Sequence, residues 1–365
     1  APSDFNSIPE LDATLVFCVA YDGSSYSGFA EQPGQTTVAG ELRRAIETLL
    51  RRPMTMMIAP LRQLGVEVRH RDGFLPFDVC GPLHSATVEV DGSVSSQFIT
   101  GLLLALPAAR GEFTIDVRRA VSTPYIDMTV EAAHRFGAEI LHNGYTQFYI
   151  EGGQRYRPTD YSIEGDWSAA ANFLVAGALF GDVRLTGLDT TSLQADISIM
   201  DILMEAGASL SQLDEEPQAE DEPAEEAFAP QCHRGLITAQ KAPLRAFDTD
   251  LNNCPDLFPI VAILAAFCHG RSNIQGFKRL ASKESDRGAA ILNMLTQMGV
   301  EASAAGDTLS ITGESVESRL LNGHLLKGGE YTSSHDHRMA MALTVASWCA
   351  DSPIQIDDTT CIAKS

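Results

Sequence analysis

Four segments of the chain share one pattern of apolar and polar positions, in which an amphipathic helix ends at a glycine and a short alternating strand follows. The pattern occurs at residues 64–68, 136–140, 206–210 and 298–302. Glycine suits the position just past a helix because the backbone there often adopts a left-handed conformation that is unfavourable for residues with a side chain. The pattern therefore predicts four helix-to-strand connections of the same local structure.

The spacing of the four glycines predicts a repeated unit. They are 72, 70 and 92 residues apart, and the longest interval contains an acidic insertion. Between Gly137 and Gly207 the pattern predicts strands at 147–151 and 183–186 and a helix at 168–179. A unit of this length is too large for a solenoid repeat. We predict an α/β protein in which copies of one mixed subdomain form two lobes, since 365 residues exceed one ordinary core.

The charge of the chain is strongly acidic, with a formal net charge of −22. Binding to nucleic acid needs clustered Lys and Arg, so we expect no nucleic-acid partner. Eight acidic residues lie between Asp214 and Glu226, in a stretch with two prolines and few large apolar residues. We interpret residues 213–230 as a solvated surface insertion, with an acidic segment that binds a partner as the alternative.

The cysteines and the apolar runs exclude several classes of protein. The seven cysteines are scattered and form no C-x-x-C pair, which argues against a disulfide framework or a zinc knuckle. No run of about 18 apolar residues is present, and the first residues do not resemble a signal peptide. We therefore expect a cytoplasmic protein that does not span a membrane.

Polar residues precede several apolar helices, although the sequence has no glycine-rich nucleotide-binding loop. Ser95, Ser96 and Gln97 stand before the apolar run 98–106, either as a plain helix cap or as an anion site at a helix N-terminus. Asp256 stands before the run 257–267, as a helix cap or as a functional carboxylate. If such helices converge on one cleft, their positive ends favour anions there.

Two charged runs open further helices. Lys283 and Arg287 are four residues apart on one helical face beside Glu284, so they form either a surface set of ion pairs or a site for a dianion. His335 and His337 form an H-x-H pair without a third ligand at a motif spacing, which favours a catalytic or structural histidine over a metal site.

Taken in order, these segments resemble the bacterial 3-phosphoshikimate 1-carboxyvinyltransferase (EPSP synthase) family from about Arg52 to Ser365. The resemblance rests on residues 52–54, 91–98, 124–129, 164–166, 255–256, 283–287, 336–341 and 363–364. It implies a two-lobed fold in which each lobe contains three copies of one α/β unit. That fold agrees with the repeat near 70 residues.

The resemblance also implies the reaction. The enolpyruvyl group of phosphoenolpyruvate would be transferred to the 5-hydroxyl of shikimate 3-phosphate, with release of phosphate and without a cofactor or a metal ion. By the same resemblance, Ser95, Ser96 and Ser122 would hold the phosphate of shikimate 3-phosphate, and Gln97 and Tyr125 would line its ring.

The remaining assignments concern phosphoenolpyruvate. Arg287 and Arg338 would clamp its carboxylate, and Arg52 and Lys364 would contact its phosphate, because guanidinium groups bind planar anions through paired hydrogen bonds.

Four residues are candidates for catalysis, three of them by family resemblance. Asp256 would take the proton of the 5-hydroxyl, Glu284 would move a proton to and from the methylene carbon, and Lys283 would contact the hydroxyl side of the substrate. His337 is the fourth catalytic candidate. We expect these residues to act in a monomer.

Two family elements are absent from this sequence: a P-G-D-K-S segment and an N-A-G-T loop. Only 51 residues precede Arg52, and the chain stops short of the usual closing helix. We therefore expect an incomplete first lobe and an impaired activity. The predicted domains are 1–51 as an atypical strand–helix segment, 52–187 as the partial first lobe and 188–365 as the second lobe.

Residues 14–59 resemble the N-terminal part of tRNA pseudouridine synthases of the A type, through residues 19–29 and 32–38 and a helix at 39–51. The catalytic G-R-T-D-A-G run of that family is absent. A junction of two reading frames explains this start, and a divergent strand–helix unit is the alternative.

Two other functions remain as alternatives. One is a non-catalytic protein that binds anions or tRNA. The other is a UDP-N-acetylglucosamine carboxyvinyltransferase, which fits less well because the runs 283–287 and 336–338 are of the shikimate type.

Overall fold

The computed structural model describes residues 54–71, 73–93, 95–214, 234–282 and 286–364. Their contacts divide them into two units. The first consists of residues 54–59 and Glu67–Gly81, and the second of Pro60–Val66 and Pro82 onward. The helix predicted at 39–51 and the strand before it lie outside the described residues.

A short helix and a hairpin come first. Helix α1 (Thr55–Gln63) is followed by strands β1 (Glu67–Arg71) and β2 (Phe74–Cys80). The two strands of the first unit pair antiparallel, with Glu67 opposite Cys80 and a register shift between Arg69 and Arg71.

The second unit opens with a mixed four-stranded sheet and two helices. The elements are β3 (Ala86–Asp91), α2 (Gln97–Ala105), β4 (Glu112–Arg118), α3 (Thr123–Arg135), β5 (Leu141–Asn143) and β6 (Gln147–Glu151). The strand order is β3-β4-β6-β5. Strands β3 and β4 are parallel, and the other two pairs are antiparallel.

A three-stranded antiparallel sheet follows. Its strands are β7 (Asp182–Asp189), β8 (Ser209–Asp214) and β9 (Arg234–Gln240). Helix α4 (Trp167–Phe180) precedes β7, and a 3-10 helix (Ala195–Ser198) and helix α5 (Ile199–Ala206) lie between β7 and β8. The strand order is β7-β9-β8. Because β8 extends to Asp214, the first two residues of the predicted insertion 213–230 belong to a strand, which corrects its start.

The first topology then recurs. Strands β10 (Asp248–Asp250), β11 (Gly270–Gln275), β12 (Glu301–Ala305) and β13 (Thr308–Gly313) alternate with helices α6 (Phe258–Ala266) and α7 (Arg287–Gln297). The order is β10-β11-β13-β12, with β10 and β11 parallel and the other pairs antiparallel. After α8 (Val316–Asn322) come β14 (Gly329–Tyr331), α9 (His337–Ala346) and β15 (Ile354–Ile356), with β14 and β15 parallel.

These elements are copies of one strand–helix–strand–helix–strand–strand unit. The unit is complete from β3 to β6 and from β10 to β13, since both sheets have the same order and the same parallel pair. The segment from α4 to β9 lacks the first strand of the unit, but its sheet order β7-β9-β8 corresponds to β4-β6-β5. The segment β14–α9–β15 corresponds to the first strand, first helix and second strand of the unit, with the two strands parallel. The repeat predicted from the glycine spacing is therefore present in the fold.

The four glycines have the predicted conformation. Their φ angles are 85°, 85°, 88° and 80° at Gly65, Gly137, Gly207 and Gly299. Two backbone hydrogen bonds close the helix at each glycine. At Gly137, for example, the glycine amide donates to the His134 carbonyl and the amide of the next residue, Ala138, donates to the Ala133 carbonyl, both at 2.9 Å. This closure satisfies carbonyls that the helix end leaves without partners.

The core of the second unit surrounds two helices that are apolar on nearly every side. All nine residues of α6 are buried, and so are eleven residues of α4. A helix that is apolar all round is stable only when neighbours cover it, and α6 contacts α4, α9 and β13.

The elements predicted at 147–151, 168–179 and 183–186 correspond to β6, α4 and β7. Among the described residues, no helix has the length and apolar character needed to cross a membrane.

Gly177, in the middle of α4, marks a close approach between this helix and strand β9. A methyl group there would come within 2.8 Å of the Ala239 carbonyl oxygen and 2.9 Å of Val183 Cβ. We expect Gly177→Ala to lower the free energy of unfolding by about 1–3 kcal/mol, because a packed core resists added volume. Urea denaturation followed by circular dichroism measures the change.

Gly101 in α2 provides the matched control. Apart from its chain neighbours and its own helix backbone, no atom of the described residues lies within 4 Å of a Cβ added at this glycine. Gly101→Ala should therefore raise the free energy of unfolding by up to about 1 kcal/mol through helix propensity. Equal effects of the two substitutions would contradict the close packing of α4 on β9.

Candidate active site

The candidate site residues of the second unit follow the carboxyl ends of parallel strands. Asp91 of β3 is paired with Arg118 of β4, and the Gly92 amide donates to the Arg118 carbonyl at 2.8 Å. A Cβ at Gly92 would lie 3.0 Å from Ala120 Cα. The two loops that lead to Ser96 and Ser122 therefore run side by side, at the edge of a sheet where ligands usually bind.

The same arrangement recurs in the other copies. The loops after β10 and β11 lead to Asp256 and Arg287, and the loops after β14 and β15 lead to Arg338 and Lys364. Three helices begin at or beside these loops. Their N-terminal amides donate to the capping carboxylates Asp166 of α4, Asp286 of α7 and Asp336 of α9. Positive helix ends at these loops favour anions.

Ser95, Ser96 and Gln97 lie at the start of α2. Ser96 is the N-cap residue and is buried, and the Gln97 amide donates to Ser95 Oγ at 3.2 Å. A hydrogen bond of 2.9 Å between Thr100 and Thr129 joins α2 to α3. Ser95 therefore caps a helix amide, whereas Ser96 makes no side-chain cap hydrogen bond among the described residues. The anion site at these serines stays a prediction.

Ser122 is held by an arginine from another copy of the unit. It occupies the N-cap position of α3 without a side-chain cap hydrogen bond to the described residues, is buried, and has a left-handed backbone with φ of 52°. Arg279 donates from Nη2 to Ser122 Oγ at 3.1 Å, while its Nη1 is buried without a hydrogen-bond partner among the described residues. A buried donor without an acceptor is costly. An anion beside Ser122 would provide that acceptor.

Tyr125 lies one turn beyond Ser122 on α3. Its hydroxyl donates to Oδ2 of Asp196, which belongs to the 3-10 helix before α5. Asp196 is 2% exposed, and its Oδ1 has no hydrogen-bond partner in the described part of the chain. Burial raises the pKa of Asp196 to about 6, against the Tyr125 hydrogen bond, which lowers it. Burial and then the Asp196 charge raise the pKa of the Tyr125 phenol.

Arg287 occupies the centre of a buried network. Its side chain is 1% exposed; Nη1 donates to Asp256 Oδ1 at 2.8 Å, and Nε donates to Asp336 Oδ2 at 2.8 Å. A further bond of 3.3 Å runs from Nη2 to Asp336 Oδ1. Arg287 thus joins the starts of α6, α7 and α9. Its assignment to a carboxylate clamp stays a prediction. Its burial excludes a place in a surface set of ion pairs, which was one of the two alternatives for this residue.

Arg338 lies in the first turn of α9, and two nitrogens of its guanidinium group have no hydrogen-bond acceptor among the described residues. Nη2 lies 3.7 Å from Asp256 Oδ2, and Nη1 lies 3.9 Å from Asp166 Oδ2. Nε and Nη1 are buried and have no hydrogen-bond partner within the described residues. The neighbouring His337 is buried, with Nδ1 3.8 Å from Asp336 Oδ1. Arg338 is therefore well placed to receive an anion.

The loop before α9 is fixed by two aspartates from the segment after β15. Ser334 and His335 both have left-handed backbones, with φ of 55° and 57°. Asp357 accepts from the Ser333 amide at 2.8 Å, and Asp358 accepts from His335 at 2.8 Å. The hydrogen bonds from Thr360 and His335 lower the pKa of Asp358 to about 2.

The structure thus brings several of the predicted site residues into a connected set of contacts. Arg52, Lys283 and Glu284 lie outside the described residues, as does the side chain of Lys364. Asp166, Asp196 and Arg279 also belong to this set, although no role was predicted for them from the sequence. Asp166 could have been found as a helix cap and Arg279 as a cation near Lys283, but no local signal marks Asp196.

Comparison with known proteins identifies the family. The chain matches the sequence profile of the family described as EPSP synthase (3-phosphoshikimate 1-carboxyvinyltransferase) over residues 27–365. The chain belongs to the EPSP synthase family. This match begins well before Arg52, which corrects the expected start of the resemblance, and the comparisons give no support to the resemblance to pseudouridine synthases.

Relatives of the family are similar over most of this chain. The 3-phosphoshikimate 1-carboxyvinyltransferase of Aeropyrum pernix is 36% identical over 312 residues, which cover 85% of this chain and 65% of the relative. That of Aeromonas salmonicida is 34% identical and covers 91% and 71%. The chain therefore spans about two thirds of the length of the curated relatives that it matches.

Solved structures agree with the fold. The EPSP synthase structure from Acinetobacter baumannii has a TM-score of 0.66 and 25% identity, over 86% of this chain and 68% of that chain. The enolpyruvyl transferase NikO from Streptomyces tendae has a TM-score of 0.60 at 18% identity, which supports the fold alone. The predicted EPSP synthase-like α/β fold is confirmed. The incomplete first lobe and the domain boundaries stay predictions.

Proposed function

We propose that this chain binds shikimate 3-phosphate and phosphoenolpyruvate, transfers the enolpyruvyl group to the 5-hydroxyl and releases phosphate. The observation that carries the proposal is the set of buried guanidinium nitrogens at Arg279 and Arg338 that have no hydrogen-bond partner among the described residues, in a chain whose pI is about 4.7. An acidic protein in which buried guanidinium nitrogens lack hydrogen-bond acceptors among the described residues is suited to anionic ligands. Curated relatives with this activity support the assignment.

The phosphate of shikimate 3-phosphate would bind at the starts of α2 and α3. Ser95, Ser96 and Ser122 supply hydroxyl groups there, and Arg279 adds a charged donor beside Ser122. Gln97, which is exposed, and Tyr125 would line the ring of the substrate. In this proposal the unpaired Nη1 of Arg279 gains a phosphate oxygen as its acceptor.

Phosphoenolpyruvate would bind at the start of α9. Arg338 has two buried nitrogens for the carboxylate, while Arg52 and Lys364 would contact the phosphate. Arg287 would support this clamp by holding Asp256 and Asp336 in place. Paired N–H donors match a planar carboxylate better than a single ammonium group does.

The reaction would proceed in two steps. The 5-hydroxyl oxygen attacks C2 of phosphoenolpyruvate while its proton passes to Asp256, and a proton from Glu284 adds to C3. A C3 proton then returns to Glu284 while the bond between C2 and the phosphate oxygen breaks, which restores the double bond. The leaving phosphate takes up the proton held by Asp256 and is released as inorganic phosphate. Lys283 and His337 would stabilise negative charge near the reacting groups.

Phosphate release tests the proposal directly. Purified protein with both substrates should release inorganic phosphate, and omission of either substrate should abolish the release. Replacement of shikimate 3-phosphate by UDP-N-acetylglucosamine is the specificity control. Release with the nucleotide sugar alone would assign the chain to the other transferase, and no release with either acceptor would overturn the proposed activity. The cytoplasmic location and the monomeric state stay predictions; light scattering tests the latter.

A further inference from the structure

Asp196 is a buried carboxylate that neither the family resemblance nor the proposed reaction uses. Its side chain is 2% exposed, one oxygen accepts from the Tyr125 hydroxyl, and the other oxygen has no hydrogen-bond partner among the described residues. Asp166, Asp256 and Arg338 are its charged neighbours. A buried carboxylate with an unpaired oxygen beside other carboxylates is costly to a fold, so it needs an explanation other than stability.

The contact with Tyr125 joins two copies of the repeated unit. Tyr125 lies on α3, and Asp196 lies in the 3-10 helix before α5, 71 residues further along the chain. One turn before Tyr125, Ser122 is held in the same way by Arg279 from a third copy. The start of α3 is therefore fixed by side chains from two other copies at the two positions assigned to shikimate 3-phosphate.

We propose that Asp196 is a positioning residue, which holds the Tyr125 ring in the orientation that receives the ring of shikimate 3-phosphate. This inference rests on the proposed function. A tyrosine held at its hydroxyl loses little side-chain freedom when a ligand packs on its ring, and such preorganisation increases affinity. Because the pKa of Asp196 is about 6, the carboxylate is mostly ionised and a strong acceptor at pH 7.5.

Calorimetric titration with shikimate 3-phosphate at pH 7.5 tests this role. Asp196→Ala and Tyr125→Phe should each weaken binding about 10-fold, the loss expected for one strong hydrogen bond. The affinity of the double variant should also fall about 10-fold, and not about 100-fold, because the two substitutions remove the same hydrogen bond. Asp196→Asn, which keeps an acceptor for the hydroxyl, should restore affinity to within about 3-fold of the unchanged protein.

The same helix offers a matched control pair. The Tyr145 hydroxyl donates to both carboxylate oxygens of Asp127 on α3, each at 2.8 Å. Tyr145→Phe and Asp127→Ala should leave the affinity for shikimate 3-phosphate unchanged. Urea denaturation provides the second readout, in which Asp196→Asn should not lower the midpoint at pH 7.5. A purely structural aspartate would lower the midpoint and leave affinity unchanged.

The outcomes separate this inference from the proposed function. If the unchanged protein binds shikimate 3-phosphate and both Asp196→Ala and Tyr125→Phe bind it equally well, the positioning role is wrong and the proposed function stands. Additive losses in the double variant would show that the two residues act separately, which also overturns the inference. If the unchanged protein does not bind shikimate 3-phosphate, the proposed function and the inference fall together.

Discussion

Replacement of Arg287 by alanine should lower the free energy of unfolding by about 3–5 kcal/mol, because it leaves a buried carboxylate without its partner. The side chains of Arg287 and Asp336 are 1% and 0% exposed, and two hydrogen bonds of 2.8 and 3.3 Å connect them. The same change frees Asp256 from a bond of 2.8 Å. Urea denaturation followed by circular dichroism measures the loss.

Two variants control this experiment. Arg184→Ala removes an exposed arginine that lies 4.0 Å from Asp182, and it should change the free energy of unfolding by less than about 1 kcal/mol. Arg287→Lys keeps the charge but cannot reach both aspartates at once, so it should fall between the alanine variant and the unchanged protein. A loss in Arg287→Ala no larger than that in Arg184→Ala would show that the buried network adds nothing to stability.

Asp256→Asn should lower kcat for phosphate release by about 100-fold to 10,000-fold, the range expected when a general base is removed. Asp256 is fixed by Arg287, yet its side chain is 32% exposed, so a substrate hydroxyl can reach it. Asparagine keeps the size and one acceptor oxygen for Arg287, but it cannot take up the hydroxyl proton. Steady-state phosphate release gives kcat, and calorimetry gives the affinity for shikimate 3-phosphate.

Asp201→Asn is the matched control, since Asp201 is exposed on α5. It should leave kcat unchanged. The proposed role of Asp256 predicts a lower kcat with nearly unchanged affinity for shikimate 3-phosphate, because the proton transfer occurs only in the transition state. A kcat for Asp256→Asn within about 10-fold of the unchanged protein would exclude Asp256 as the base.

The repeated unit could be predicted because its signal is local. A helix end that needs a left-handed residue selects glycine, and that selection repeats at Gly65, Gly137, Gly207 and Gly299 whatever surrounds it. The alternation in β6 and the apolar run in α4 are local in the same sense. The parallel pairs β3–β4 and β10–β11 could not be predicted this way, because pairing joins residues that are far apart in sequence.

The candidate site was predictable only in part, for the same reason. The four-residue spacing of Lys283 and Arg287 left both a surface set of ion pairs and a dianion site open, because the partner of Arg287, Asp336, is 49 residues away. Asp196 resembles an ordinary acidic residue before a helix until Tyr125, 71 residues earlier, is seen against it. The contacts through which Asp336 and Asp196 organise the site therefore became visible only through the fold.

The start of the chain shows how short motifs mislead. A strand followed by a helix opens many α/β folds, so the residues within 14–59 that resemble another family carried little discrimination. The EPSP synthase match begins at residue 27 and includes most of that segment. A match over hundreds of positions outweighs a likeness over a few tens of residues.

The aspartates that follow β15 have a mechanical consequence. Asp357 binds Ser333 and Asp358 binds His335, so their bonds flank two consecutive left-handed residues, Ser334 and His335, whose conformation non-glycine residues seldom adopt. The loop that leads to Arg338 and the turn that ends at Lys364 are thereby coupled, since neither can shift without breaking bonds to the other. An anion bound by Arg338 and Lys364 would therefore contact two segments that are held together as one rigid element, and not two segments that move independently.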